Sequence, residues 1–176
     1  ESTIYALENS RMPYTANAGM LELRQEICAH TFGRYGVLYD PREECIVTVG
    51  VSEGIDLALR ALINPGDEVL YTEPCYVSYS PGIAFAGGVP VAVPSRSEEG
   101  FRVDIEDIRS RITSRSKAIL LCYPNNPTGA ALSRENLQEI VDLAVQHDLY
   151  LLSDEIYDRL LYVGEHVCVP ALPGAK

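Results

Sequence analysis

The sequence predicts an α/β fold, a mostly parallel sheet with helices on both faces. Three observations predict it. Short apolar runs recur between residues 45 and 152, stretches with helical apolar spacing separate them, and Pro/Gly/Asn/Asp turns punctuate the joints. Strands apolar on both faces are covered on both sides, and their alternation with helices is the pattern of parallel crossover units.

The elements follow in order. Cys45-Ile46-Val47-Thr48-Val49 is a β-branched run ending at Gly50 and is expected to be the first strand. Ile55, Ala58, Leu59, Leu62 and Ile63 then share one helix face. Leu57 and Ala61 extend the apolar surface around it, which predicts a nearly buried helix; Asp56 and Arg60, four apart, can pair. Asn64-Pro65-Gly66-Asp67 ends it with turn chemistry. Glu68–Tyr71 is the second strand. Pro74 suits the first position of a helix, which Pro81-Gly82 would interrupt. Val89–Val93 is the third strand, and Pro90, which has no N–H to give a ladder, places it at an edge or strand end. Asp104 can cap a helix bearing Ile105, Ile108 and Ile112. Ala118–Cys122 is the fourth strand. Ser133 caps a long helix with Leu137, Ile140, Val141, Ala144 and Val145 on one face. Leu149–Leu152 is the fifth strand, followed by a short helical segment. Residues 1–44 contain no strand; Met20, Leu23 and Ile27 mark one amphipathic helix there.

Bulk properties exclude several functions. A chain of 176 residues can bury a real core. Its net charge is −11, from 14 basic and 25 acidic residues, with no basic block. That argues against nucleic acid or an anionic membrane as partner. No run of about eighteen apolar residues predicts a membrane span. The Glu-Ser-Thr start lacks the basic-then-apolar pattern of a secretion signal, so a cytoplasmic location is expected. The five cysteines are widely spaced, without Cys-x-x-Cys or Cys/His ligand spacing, which predicts reduced thiols and no metal site.

In open α/β sheets ligands bind beyond the carboxyl ends of the strands. Four places there are chemically equipped. Gly50-Val51-Ser52-Glu53-Gly54 joins a strand to a helix start, where backbone N–H groups and the helix dipole favour a phosphate. Ser52 could equally be a plain N-cap, and Glu53 suits an anion only through its backbone. Asn126, before Pro127-Thr128-Gly129, can donate to an oxyanion or simply form a turn. Asp154, directly after Leu151-Leu152-Ser153, is expensive to bury unpaired unless it meets a cation or caps a helix; Tyr157 follows three residues on. Tyr76 could stack on a flat ring or pack in the core. His30, His147 and His166 form no cluster in the sequence and are assigned no chemistry.

These segments, in this order, resemble the class I/II aminotransferases of the fold type I pyridoxal phosphate family. The resemblance rests on Thr48-Val49-Gly50-Val51-Ser52-Glu53-Gly54, Asn126-Pro127-Thr128-Gly129 and Ser153-Asp154-Glu155-Ile156-Tyr157. Pro74-Cys75-Tyr76 and Tyr14-Thr15-Ala16-Asn17-Ala18-Gly19 support it. It implies an N-terminal arm and helix over residues 1–44 and an incomplete cofactor-binding large domain over 45–176. It implies pyridoxal phosphate as cofactor: Asp154 on the pyridine nitrogen, Asn126 and Tyr157 on the ring's phenolic oxygen, Tyr76 stacked on the ring, and the backbone of Val51, Ser52 and Glu53 on the phosphate. Tyr14 would reach the phosphate of the partner subunit, which implies a homodimer. The Asn126–Pro127 peptide is expected to be cis.

One departure from the family bears on activity. The family attaches its cofactor through a lysine in a serine-rich segment downstream of Asp-x-x-Tyr. This chain has two lysines. Lys117 precedes a strand, at the sheet end away from the expected site, and Lys176 lies in Pro173-Gly174-Ala175-Lys176, which is not that motif. The resemblance therefore implies the N-terminal part of an enzyme that moves an amino group between an amino acid and a 2-oxo acid, with no catalytic residue in this chain and no activity from it alone. Carbon–sulfur β-lyases and aminocyclopropane-carboxylate synthases share the same frame, and a non-catalytic cofactor-binding or assembly domain is the alternative of another class.

Overall fold

The computed structural model describes residues 1–9 and 14–175; Lys176 lies outside them. The chain divides into two compact units, Glu1–Thr48 and Val49–Lys176. The first holds helices α1 (Ser2–Glu8) and α2 (Leu21–Tyr35). The second holds α3 (Gly50–Leu62), β1 (Glu68–Glu73), α4 (Tyr79–Phe85), β2 (Val89–Pro94), α5 (Ile105–Arg109), β3 (Ser116–Cys122), α6 (Arg134–Gln146) and β4 (Tyr150–Asp154).

The second unit is built on one parallel sheet of order β2-β1-β3-β4. All four strands end at the same edge, and Cys122 of β3 stands directly beside Asp154 of β4. The chain leaves β1 towards β2 on one side and returns to lay β3 on the other. That reversal opens a crevice beyond the ends of β1 and β3, the usual ligand position in such sheets.

Each sheet face has its own core, because alternate residues of a strand point to opposite sides. Leu70, Ile119 and Leu121 pack with Ile108 of α5 and with Leu137 and Ile140 of α6. Val69, Tyr71, Ala118 and Leu120 pack on the other face against Leu59 of α3 and Tyr79 and Ile83 of α4. Each such buried side chain contributes roughly 1.5–3 kcal/mol. Pro90 sits on edge strand β2, as its missing donor predicts. Asp104 caps α5 by accepting from Glu106 N–H at 2.9 Å, and Ser133 caps α6 by accepting from Asn136 N–H at 3.3 Å.

Several sequence expectations are corrected. Residues 45–49 form no strand: β-branched propensity needs a ladder partner, and Val47 N–H bonds instead to Ala18 C=O in a loop at 3.0 Å. The sheet thus has four strands. Pro74 opens no helix; α4 begins at Tyr79 and runs through Pro81-Gly82. Pro81 lies in its first turn, where a missing N–H costs nothing. Helix α3 is more exposed than expected, with Leu59 its one buried residue and Leu57 42% exposed. Helix α5 ends before Ile112, and a turn, not a helix, follows β4.

In the first unit, α1 has no sequence forecast, for it carries no apolar stripe. Helix α2 forms as expected, but Leu23 and Ile27 are exposed and the buried residues are Arg24 and Cys28. The Arg24 guanidinium donates through Nη1 to the carbonyls of Pro41 (2.8 Å), Arg42 (3.2 Å) and Cys45 (3.4 Å), drawing that loop onto the helix. Gly19, at φ 89°, is required there: a Cβ would lie 2.7 Å from Val47 Cβ.

Candidate functional site

The loop after β3 is organised by Asn125, which is buried. Its Nδ2 donates to Cys122 C=O (3.3 Å) and to Pro74 C=O (3.2 Å), so it ties the loop after β3 to the loop after β1. Its Oδ1 accepts from Thr128 Oγ1 at 2.9 Å and from Thr128 N–H at 3.3 Å. Asn125 thereby uses its whole amide on structure. Asn126 next to it keeps a half-buried side chain whose Nδ2 lies 3.5 Å from the Tyr157 hydroxyl. The peptide bonds at Glu73–Pro74, Tyr123–Pro124 and Asn126–Pro127 are cis.

Asp154 ends β4 and is half-buried. Its Oδ2 accepts from the Tyr79 hydroxyl at 2.7 Å, and its Oδ1 from Ile156 N–H at 3.2 Å, an Asx turn in place of a helix cap. Among the described residues Asp154 forms no ion pair. Tyr79 is 1% exposed, and burial, then its bond to Asp154, pushes its phenol far above the usual range. It gives its one proton to Asp154, and its oxygen remains an acceptor. The Cys122 thiol lies beside the same hydroxyl, and burial raises its pKa too.

Glu155 points elsewhere. His166 Nε2 lies 2.6 Å from Glu155 Oε2, while Val169 N–H (2.9 Å) and Ser153 Oγ (3.0 Å) donate to Oε1. Burial alone would raise this carboxyl, but those three partners together bring it below the ordinary carboxylate value. The pair anchors the segment after β4 and leaves Asp154 as the polar group at the strand end.

At the start of α3 the backbone is solvent-exposed. Val51 and Ser52 fall among the first N–H groups, which have no partner within a helix. Ser52 does not cap the helix; instead the Glu53 carboxylate folds back to accept from Val49 N–H. The Tyr76 phenol bonds to Ser78 and Ser52, which draws its pKa below the usual value, and its ring meets Tyr79 edge-on at 5.8 Å and 82°. Tyr76 thus links the helix start to the Tyr79–Asp154 pair. A cavity of about 590 Å³ is lined by Asn126, Pro127, Gly129, Tyr157, Leu161 and Tyr162. A smaller one of about 200 Å³ is lined by Ser52, Tyr76, Tyr79 and Phe85 among others. Tyr14, in the other unit, is fully exposed. Lys117 lies near the start of β3, at the far end of the sheet, with Nζ 5.2 Å from the centre of the Tyr150 ring. No group of metal-ligating side chains occurs among the described residues, and no described helix is long and apolar enough to cross a membrane.

The family model for aminotransferase class I and II matches residues 3–170. The chain belongs to that family. This aminotransferase chain is 46% identical to the aspartate/prephenate aminotransferase of Thermus thermophilus over 166 residues, 94% of its own length and 43% of the relative's. It is 38% identical to the arginine–pyruvate transaminase of Pseudomonas aeruginosa over 174 residues, 99% of its length and 44% of the relative's. Its fold matches the solved aspartate aminotransferase from Thermus thermophilus with maleate at a TM-score of 0.94 and 42% identity, covering 99% of this chain and 45% of that one. The chain therefore spans a little under half the length of the relatives it matches.

Sequence reasoning missed Tyr79, Asn125, Cys122 and His166. Tyr79 had a signal in hindsight: it stands three residues after Tyr76, one helical turn away in a segment otherwise read as a broken helix. His166 had none, since its partner Glu155 lies eleven residues back across an irregular loop.

Proposed function

We propose that this chain is the cofactor-cradling N-terminal part of a pyridoxal phosphate-dependent aminotransferase, which moves an amino group between an amino acid and a 2-oxo acid. One observation carries the proposal. A half-buried carboxylate at the sheet's carboxyl edge is held by two neutral donors and, among the described residues, no cation. Such a group is stabilised by a positively charged ligand atom, and a protonated ring nitrogen supplies one.

The remaining side chains fit the same ligand. The Asn126 amide and the Tyr157 hydroxyl, 3.5 Å apart, can both donate to one phenolic oxygen. The exposed N–H groups of Val51 and Ser52, with Glu53 next in line, suit a phosphate at a helix start. Tyr76 offers a ring face beside that helix start. Bound pyridoxal phosphate would supply an electron-withdrawing ring that stabilises negative charge on the amino acid's α-carbon. In this reading Asp154 keeps the ring nitrogen protonated, and Asn126 and Tyr157 fix the opposite edge of the ring. Residues 1–44 form the arm and 45–176 the incomplete large domain. Tyr14 serves the partner subunit's phosphate in a cytoplasmic homodimer. Lys117 sits at the far end of the sheet, and Lys176 does not stand in the family's serine-rich lysine motif, so this chain alone binds without turning over. The relatives act on different amino acids by name, so the substrate is proposed at the level they share.

The test is a titration of pyridoxal phosphate into the purified chain, followed by fluorescence, with intact mass measured after borohydride. Reversible binding with no reducible adduct at Lys117 is expected. Asp154→Ala should weaken binding by a factor of roughly 30, the value of one charge-assisted contact. Unchanged affinity in that variant would sink the pyridinium role.

A further inference from the structure

We propose that Tyr79 is a positioning residue for the ring-binding carboxylate, its buried hydroxyl fixing Asp154 in one orientation. The inference rests on the cofactor reading above and goes beyond it, because no residue of α4 enters that reading.

The geometry is specific. Tyr79 is seated in the core against Leu59 and Ile83, so its ring has no freedom to leave. Its hydroxyl stands 2.7 Å from Asp154 Oδ2, a short distance typical of a bond to a charged oxygen. The backbone of Ile156 holds the other oxygen at 3.2 Å. A carboxylate gripped at both oxygens by donors cannot swing about its last torsion, and each oxygen keeps one further lone pair. Those two lone pairs define where an incoming N–H must lie.

Proton accounting reinforces this. A phenol has one proton to give. Burial, then the neighbouring carboxylate, raises this phenol far above its usual range, so it keeps that proton and offers it to Asp154. The support is therefore constant, unlike that from a histidine or a second acid. Removing the hydroxyl leaves the carboxylate with one donor and free to rotate, and a ring nitrogen facing it loses its fixed partner.

Three measurements test the proposal, with Tyr79→Phe as the main variant because it deletes one oxygen and keeps the packing. In the cofactor-free chain, a slowly exchanging phenolic proton in the NMR spectrum should be present in the wild type and absent in both Tyr79→Phe and Asp154→Ala. With pyridoxal phosphate, Tyr79→Phe should bind about ten-fold more weakly, and should cause no further loss in the Asp154→Ala background. With ring-¹⁵N cofactor, the nitrogen signal should shift towards the unprotonated position in Tyr79→Phe, a change that loosened packing alone would not cause. Equal affinities for Tyr79→Phe and wild type, or an equal ten-fold loss in the Asp154→Ala background, would overturn the role of Tyr79. If Asp154→Ala itself binds like the wild type, the cofactor reading fails and this inference fails with it; if only Tyr79→Phe is silent, the cofactor reading stands alone.

Discussion

The two ends of the sheet treat a carboxylate in opposite ways. At the amino end Glu68 is buried at the start of β1 and surrounded by Arg115, Thr113 and Ser116. At the carboxyl end Asp154 closes β4 with a phenol and a peptide N–H, and no cation. Glu68 has a charged partner and several donors, so nothing is left for a ligand to satisfy. Asp154 has its orientation settled and its charge unanswered. Parallel strands put all their starts on one side and all their ends on the other, so on the proposed cofactor reading a single sheet separates stability from binding by direction alone.

The comparison can be broken most decisively at Glu68. Glu68→Ala removes the ion pair and two hydroxyl bonds, and a loss of about 2 kcal/mol is expected in urea unfolding, discounted for the exposed Arg115 partner. Affinity for pyridoxal phosphate should not change. If Glu68→Ala weakens cofactor binding as much as Asp154→Ala does, the two ends are not separate. Asp154→Ala is the converse: cofactor affinity falls, and the folding cost is about 1–3 kcal/mol, confined to the buried Tyr79 hydroxyl that loses its acceptor.

The acid limb sharpens the same contrast. Glu68 is held below the ordinary carboxylate range, chiefly by the Thr113 hydroxyl and against its own burial, with Arg115 and Ser116 assisting. Glu155 is depressed as well. A carboxyl whose folded pKa is depressed contributes stability above its unfolded pKa and loses it as the pH falls through the folded value. Melting temperature should therefore drop as the pH falls below about 4.5, and less steeply in Glu68→Gln. A Glu68→Gln variant with the wild-type slope would assign the acid loss to other groups. Smallest is Asp56→Ala, which removes an exposed i,i+4 pair with Arg60 at 2.8 Å on α3 and should leave the urea midpoint essentially unchanged; a clear drop in that midpoint would show that α3 relies on the pair.

What the sequence made legible follows from how local each signal is. The strands at Glu68, Ser116 and Tyr150 are runs apolar on both faces, which few alternatives can satisfy, so they were readable. So were the caps Asp104 and Ser133, which act within three residues. The run at 45–49 misled because β-branched residues state a preference without supplying the neighbouring strand that realises it. The positions of Asn126 and Asp154 near strand ends were readable because Asp154 closes β4 and Asn126 lies in the short loop after β3. Tyr79 was not, because its partner Asp154 is 75 residues away and only the α4 packing brings them together. Asn125 was hidden by resemblance to its neighbour: two adjacent asparagines look alike in a turn, and only the crossing bond to Pro74 C=O tells the scaffold residue from the one left free.

The sheet's two flanks differ in one further respect. β2 borders the sheet with Pro90 and Pro94 in its six residues, two positions that can give no hydrogen to a newcomer. β4 borders it on the other side as Tyr150-Leu151-Leu152-Ser153-Asp154, with no proline and with a half-exposed tyrosine at its start. A strand from any source meets a blunted border on the first flank and a receptive template on the second. Growth of this sheet, by completion or by self-association, is polarised towards β4, the strand that carries Asp154.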